Sequence, residues 1–304
     1  MIQIQKILCP VDFFPASERA MDYAGVLAKN YETGLTLLHV VAPILPGAYE
    51  VPLNMKQIVS SLQEESTRRL KKLAEKAKAT GVPVEYVVRT GDIQEEIRKI
   101  IGSAKIDFVV MGTHGRRGFE QWFLGSVAER LLRTISVPLL TIGKPTKREI
   151  APPKIRRILV TTDFSEGTPE AIDYAFSIAQ ECQASVSLLH VLADVGADVS
   201  EGYRDILTEG IRDQLEKLVP DEARIWCDIK ARVGVGLPFK VILKILKTEN
   251  VDLLVMNVHG KGGLERPVLG STAERVVRGA TCPVLMIPPK AAAKQKRRPA
   301  RKVA

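Results

Sequence analysis

Cysteine is scarce in this 304-residue chain: Cys9, Cys182, Cys227 and Cys282 stand far apart, with no paired spacing. That excludes a disulfide framework and a zinc cluster, and it fits buried thiols in a reducing compartment. No apolar run approaches the length that spans a bilayer, and Met1 to Lys6 reads as the start of a strand rather than a signal peptide, so a cytoplasmic protein is expected. The chain also lacks a Gly-x-x-x-x-Gly-Lys-Ser/Thr sequence, a Gly-x-Ser-x-Gly elbow and a His-Glu-x-x-His pair, which removes the P-loop lysine, the hydrolase elbow and the zinc peptidase site. Acid is absent from one stretch: 290–304 holds seven Lys or Arg and no Asp or Glu, so only about +2 of the net charge of +9 belongs to the rest. That composition argues against a broadly basic surface over the folded body. The tail lacks the apolar content to fold alone; it reads as solvated disorder, with weak contact to nucleic acid or another anionic surface as the alternative.

What is present is a repeat. Gly112-Thr113-His114-Gly115, nine residues and Gly125-Ser126 are answered by Asn257-Val258-His259-Gly260, nine residues and Gly270-Ser271. Each copy follows an apolar run and leads into a helical pattern. Such a loop brings backbone N–H groups onto one anion, because glycine permits close approach and positive φ while the helix start adds unbonded donors and a positive dipole end. The ligand expected is a phosphate. Lys6 to Phe13 recurs as Arg157 to Phe164 at an offset of 151, whereas Gly125 matches Gly270 at 145. Matching Gly91 to Gly234 at 143 puts the deletion between the second and third strands, with two residues returning around the third helix. Two similar domains of about 145 residues follow, each large enough for its own core. Expected bounds are 1–143 and 155–289, with a proline-bearing linker over 144–154 and the tail from 290.

In the first copy, short continuous runs rich in Val, Ile and Leu predict strands over 2–11, 35–41, 84–89, 108–111 and 138–142. Helical patterns cover 16–30, 55–80, 93–103 and 126–134. Strict alternation implies an α/β fold with a parallel sheet covered on both faces. Ligands of such sheets sit beyond the carboxyl ends of the strands, where Asp12 and the glycine loop would meet in one crevice. The last strand of each copy would leave an apolar sheet edge unless matched; pairing the two would make a pseudo-dimer within one chain, with further homo-oligomerisation left open.

The glycine-loop pattern, an aspartate closing the first strand and Leu-Leu-His-Val in the second strand together resemble the universal stress protein family in its tandem form, from Ile4 to about Pro288. The resemblance implies two tandem five-stranded, Rossmann-like domains and a cytoplasmic role in stress adaptation. It also implies ATP as ligand, with Mg²⁺ or Mn²⁺ accompanying the phosphates, and a protein partner that the sequence does not identify. By motif position the first site would use Asp12, Val40, Met111, Gly112, Gly115, Gly125, Ser126 and Val127. The second would use Asp163, Val191, Met256, Gly260, Gly270, Ser271 and Thr272. Aspartate would lie by ribose and adenine, the residue after the second-strand histidine by adenine, and the loop and helix start by the phosphates.

Plainer roles compete at several positions. Ser126 with Glu129, and Ser271 with Glu274, fit capping boxes. Asp12 and Asp163 could close turns. His39 and His190 read as satisfied core histidines, whereas His114 and His259 fit loop structure or phosphate contact equally, and Arg116, Arg117 and Lys261 fit either solvated loop or phosphate neutralisation. Asn257 stands where a glycine belongs and is expected to take space a phosphate needs, while Pro267 removes a donor, so the second site is expected to be the weaker. Three functions stay open: a nucleotide-dependent regulator, a slow ATP hydrolase or phosphoryl or adenylyl transferase, and an interaction protein that needs no nucleotide. No arrangement of residues commits the chain to catalysis.

Overall fold

The continuous apolar runs form strands buried on both faces, and the amphipathic stretches between them form the covering helices. The computed structural model describes residues 2–42, 55–113, 124–143, 153–193, 201–260 and 269–289. The first half contains β1 (Lys6–Pro10), α1 (Pro15–Asn30), β2 (Gly34–Val41), α2 (Met55–Lys78), β3 (Val84–Thr90), α3 (Ile93–Ser103), β4 (Phe108–Gly112), α4 (Ser126–Thr134) and β5 (Leu139–Ile142). The second half contains β6 (Arg157–Thr161), α5 (Thr168–Cys182), β7 (Ser185–Leu192), α6 (Glu201–Lys217), a short α7 (Ala223–Trp226), β8 (Ile229–Val235), α8 (Pro238–Thr248), β9 (Leu253–Asn257), α9 (Ser271–Gly279) and β10 (Val284–Ile287). Among the described residues no helix is long and apolar enough to cross a membrane. The linker over 144–152, most of each glycine loop and the basic tail lie outside the described residues.

One ten-stranded sheet runs through both halves in the order β3-β2-β1-β4-β5-β10-β9-β6-β7-β8. Pairing is parallel within each half, as the continuous apolar strands predict. The halves meet at an antiparallel pair in which Leu140 faces Leu285 and Thr141 faces Val284. The two apolar edges expected to need a partner thus cover each other. Thr141 Oγ1 donates to the Val284 carbonyl at 3.0 Å, so even the buried polar group at the seam is satisfied. One apolar layer packs under α1, α2, α5 and α6, the other under α3, α4, α8 and α9, and each includes residues of both halves. On the first face Tyr31 and Ser177 share a hydrogen bond of 2.8 Å across the halves. On the second, Arg278 of α9 reaches Glu129 of α4 at 3.2 Å.

Two details depart from expectation. Strand β1 begins at Lys6 rather than Ile2, because the Gln5 and Lys6 amides donate to the Asp107 carboxylate at 2.8 and 2.9 Å instead of to a strand. Asp252 holds Arg156 and Arg157 in the same way. The partner of Gly91 is Gly236, not Gly234: both follow the edge strand at positive φ, +150° and +125°, and their amides donate to Val41 and Leu192, the last residues of β2 and β7. The offset is therefore 145 from the edge strand onward, α3 and α8 both have 11 residues, and no residues return around the third helix.

Leu285 is fully buried at the seam and contacts both halves' core layer. Leu285→Ala should cost about 2–5 kcal/mol by leaving a cavity. Urea denaturation followed by tryptophan fluorescence and far-UV dichroism should show one shifted transition; loss of the second half alone would mean that the seam does not couple the halves.

Candidate functional site

At the carboxyl end of β1 the chain turns on Asp12. The Phe14 amide donates to Asp12 Oδ1 at 3.0 Å, and in the second half the Ser165 amide donates to Asp163 Oδ1 at 3.1 Å. The turn-closing role is therefore filled in both halves. Between Asp12 and helix α1, Phe13 adopts φ +63°, and Phe164 adopts +58°. A bulky side chain rarely enters this region, at a cost of about 1–3 kcal/mol, so the surroundings must hold it there. The Phe13 ring lies 4.4 Å from that of His39 and under the Arg69 guanidinium at 4.1 Å. Phe164 lies 4.8 Å from His190. Each histidine in turn donates from Nδ1 to a strand-end carbonyl, Val11 at 2.7 Å and Thr162 at 2.9 Å. Both are the satisfied core histidines the sequence suggests. Burial holds His39 below the usual imidazole range, despite the Val11 carbonyl and Asp12, which favour the proton.

The next strand over supplies the loop. Gly112 closes β4 directly against the first turn of α1: a Cβ there would sit 2.7 Å from the Ala16 carbonyl carbon and 2.8 Å from the Ser17 nitrogen. The loop base is then pinned. Thr113 donates to Ile142 at 3.0 Å and Gly125 donates back to Thr113 at 2.7 Å; Val258 with Ile287 and Gly270 with Val258 repeat this at 2.9 and 3.0 Å. A Cβ at Gly125 would meet the Thr113 oxygen at 2.8 Å, and one at Gly260 would meet Asp163 Oδ2 at 2.5 Å. These glycines serve close approach. None of Gly112, Gly125, Gly260 and Gly270 adopts positive φ, which revises the conformational reason expected for them.

Helix α4 starts one residue earlier than a capping box requires. Gly125 is the N-cap and Ser126 the first helical residue, with no side chain capping the first turn; Gly270 and Ser271 repeat the arrangement. Glu129 turns away to Arg133 at 3.1 Å and to Arg278, and Glu274 to Arg278 at 3.0 Å. The capping boxes are thus not formed, and the first-turn amides, including those of Val127 and Thr272, keep the donor capacity that suits an anion. Met111 and Met256 are buried in the apolar layer, so only their backbone reaches the crevice. Val40 and Val191 are half-buried near the ends of β2 and β7 and pack against the same apolar layer. Gly115, with His114, Arg116, Arg117, Lys261 and Pro267, lies outside the described residues. His259 is within them, and both its ring nitrogens are buried without a partner there.

Asn257 overturns an expectation. Its amide does not enter the loop. It lies over Gly167 at the start of α5, 3.2 Å from where a Cβ would be, with Nδ2 3.5 Å from Ser165 Oγ. Turned so that both ends find complementary partners, the amide donates to the Gly167 carbonyl at 3.1 Å and accepts from Thr168 N at 3.3 Å. Gly167 occupies the place of Ala16. The pair Gly112 with Ala16 has been exchanged for Asn257 with Gly167, filling the same volume from the other side. Gly167, Phe13, Phe164 and Arg69 were not singled out by sequence reasoning; the Ala16–Gly167 exchange, visible when the copies are aligned, was the available signal.

Comparison with known proteins agrees with this architecture. The profile of the Universal stress protein family matches residues 3–143 and again 154–288. A universal stress protein of Mycolicibacterium smegmatis is 27% identical over 299 residues, covering 93% of this chain and 97% of its own. One from Methanocaldococcus jannaschii is 35% identical over 139 residues, 43% of this chain and 81% of its own. The crystal structure of a universal stress protein from Archaeoglobus fulgidus shares the fold, with a TM-score of 0.69 at 23% identity and coverage of 94% of this chain and 97% of that one.

The exchanged pair makes a double-mutant cycle. Asn257→Gly should cost about 1–2 kcal/mol through loss of the cap and its packing. Gly167→Ala should also destabilise, since the new methyl meets the amide. Together they rebuild the first-half pair, so the double variant should recover about 0.5–3 kcal/mol relative to the sum in chemical denaturation. Strict additivity would show that the two positions do not share the volume.

Proposed function

Because the chain belongs to the universal stress protein family, we propose that it is a tandem ATP-binding module whose nucleotide state regulates a protein partner in stress adaptation in the cytoplasm. The observation that carries this reading is the uncapped start of α4 and of α9, in halves that each close their first strand with an aspartate. Asp12 and Asp163 would bind the ribose and adenine end, with Val40 and Val191 against the base. The backbone of Met111, Gly112, Gly115 and Gly125, and of Met256, Gly260 and Gly270, would line the phosphates, which Ser126 and Val127, or Ser271 and Thr272, would receive at the helix start. The fit to a polyphosphate rests on amide donors and on glycines whose Cβ would collide with the surrounding backbone or, at Gly260, with Asp163 itself. Among the described residues there is no cluster of three or more acid, histidine or cysteine side chains able to hold a metal ion, so Mg²⁺ or Mn²⁺ would be carried chiefly by the phosphates.

We further read the chain as domains over 1–143 and 155–289, joined by 144–154, with the tail from 290 as a separate basic segment. Both crevices are included in the proposal, since Asn257 is turned toward α5 rather than into the loop.

Ser126→Asp tests the phosphate end without straining the fold, because an acid is favourable in the first turn of a helix. ATP affinity at the first site should fall about tenfold or more through charge repulsion, with the melting temperature unchanged or raised. Calorimetry showing unchanged affinity would remove the helix start from the site. For the other end, Asp12→Ala should weaken ATP by about 1–3 kcal/mol through loss of a charge-assisted bond. Deoxy-ATP should be less affected if the partner is ribose; equal losses would move the contact to adenine. Native mass spectrometry of the purified chain, finding neither ATP bound nor ATP taken up, would sink the reading as a whole.

A further inference from the structure

The second half has a cavity at the end of the sheet away from its glycine loop. It has a volume of about 600 Å³, within the range of small-molecule sites, and lies between the amino ends of β6, β7 and β8 and the end of α8. Its polar lining is three cations, Arg157, Lys230 and Arg232, two acids, Asp228 and Glu249, and the neutral Ser185, Ser187 and Asn250; Leu159, Ile245 and Val251 are among its apolar floor. In the same place in the first half Lys6 and Glu85 pair at 3.8 Å, and the Thr36 hydroxyl is buried. Strand register puts Arg157 in the place of Lys6, and Lys230 in the place of Glu85. One charge has been reversed, so two cations face the mouth where an ion pair stood. Val87 of the first half is replaced by Arg232, whose guanidinium leaves the sheet to make a two-pronged pair with Glu249, Nη2 to Oε1 at 2.7 Å, and so does not fill the space.

The polar inventory indicates what would fit. Arg232 and Glu249 neutralise each other. Lys230 has only Asp228, at 3.8 Å, and both side chains are more than two-thirds exposed, where such a pair holds weakly. The Arg157 side chain has no partner among the described residues. Arg157 and the loosely paired Lys230 thus leave the mouth with a net positive charge beside Asp228, flanked by the Ser185 and Ser187 hydroxyls. Deeper in, the Asn250 amide oxygen is buried without a hydrogen bond, an arrangement that costs about 1–3 kcal/mol until a donor reaches it. An anion at the mouth joined to a hydroxyl further in would satisfy both.

We propose that this cavity binds a small organic phosphate ester, its phosphate held by Arg157, Lys230 and Ser185 and a hydroxyl of its organic part donating to Asn250. The site is built by side chains that the first half lacks, at the opposite ends of the strands from the crevice assigned to ATP, so it does not rest on that assignment.

The test uses the full chain labelled with ¹⁵N and titrated with glucose 6-phosphate, with glucose as the uncharged probe, each with and without ATP. Glucose 6-phosphate should shift the amides of Ser185, Ser187, Asn250 and Val251, whether or not ATP is added, and glucose should not. Lys230→Glu, which restores the charge arrangement that already folds in the first half, should weaken binding about tenfold or more; Lys230→Met provides the same test without introducing an acid. The absence of shifts at these amides, equal shifts with glucose, competition by ATP, or unchanged affinity in both variants would overturn the proposal.

Discussion

The antiparallel contact between β5 and β10 is the constraint on which the rest of the molecule depends. Each half alone would end in an apolar strand with a row of unbonded amides and carbonyls at its edge, an arrangement that invites uncontrolled pairing. Joining the two edges removes that hazard inside one chain, and the apolar layers on both faces then run unbroken from one half to the other. The remaining edges, β3 and β8, are the outermost strands of the sheet. A duplicated chain fused this way gains freedom that two identical subunits lack: each half can change without its copy changing as well.

That freedom has been used in two ways. At the carboxyl ends, where the crevices lie, the halves differ in sequence yet keep the same shape. Asn257 and Gly167 rebuild from one side the volume that Gly112 and Ala16 fill from the other. At the amino ends they differ in charge: Lys230 and Arg232, which line the cavity of the second half, stand in the places of Glu85 and Val87, where Glu85 pairs with Lys6. Compensation in one place and divergence in the other is what a shared requirement at the crevices and a private one at the cavity would produce.

Much of this was legible in the sequence because it depends on local patterns. Strands buried on both faces appear as continuous Val, Ile and Leu, so the alternation, the parallel sheet and the crevice were readable, as was the need of the last strands for partners. Departures occurred where a distant group decides the local outcome. The start of β1 is fixed by Asp107, about a hundred residues away, and the side chain of Asn257 is directed by a glycine in another helix. The Ser-x-x-Glu spacing was real, but the helix begins one residue before the register it implies, with Gly125, held by Thr113, as its N-cap. Left-handed backbone was expected at loop glycines and is found at Phe13 and Phe164, where ring packing sustains it. The Gly91 match failed because two glycines lie two residues apart near the end of β8 and spacing alone could not choose between them.

Reversal of strand direction at the seam has a geometric result for anything that approaches the molecule. Carboxyl ends of the first half and amino ends of the second share one rim of the sheet, so the two aspartate–glycine crevices open on opposite rims. A single flat surface resting on either rim meets one crevice of one half and the back of the other. The molecule therefore has two unlike faces despite its duplicated ancestry, and a binding protein docked on one of them is in direct touch with only one of the two crevices.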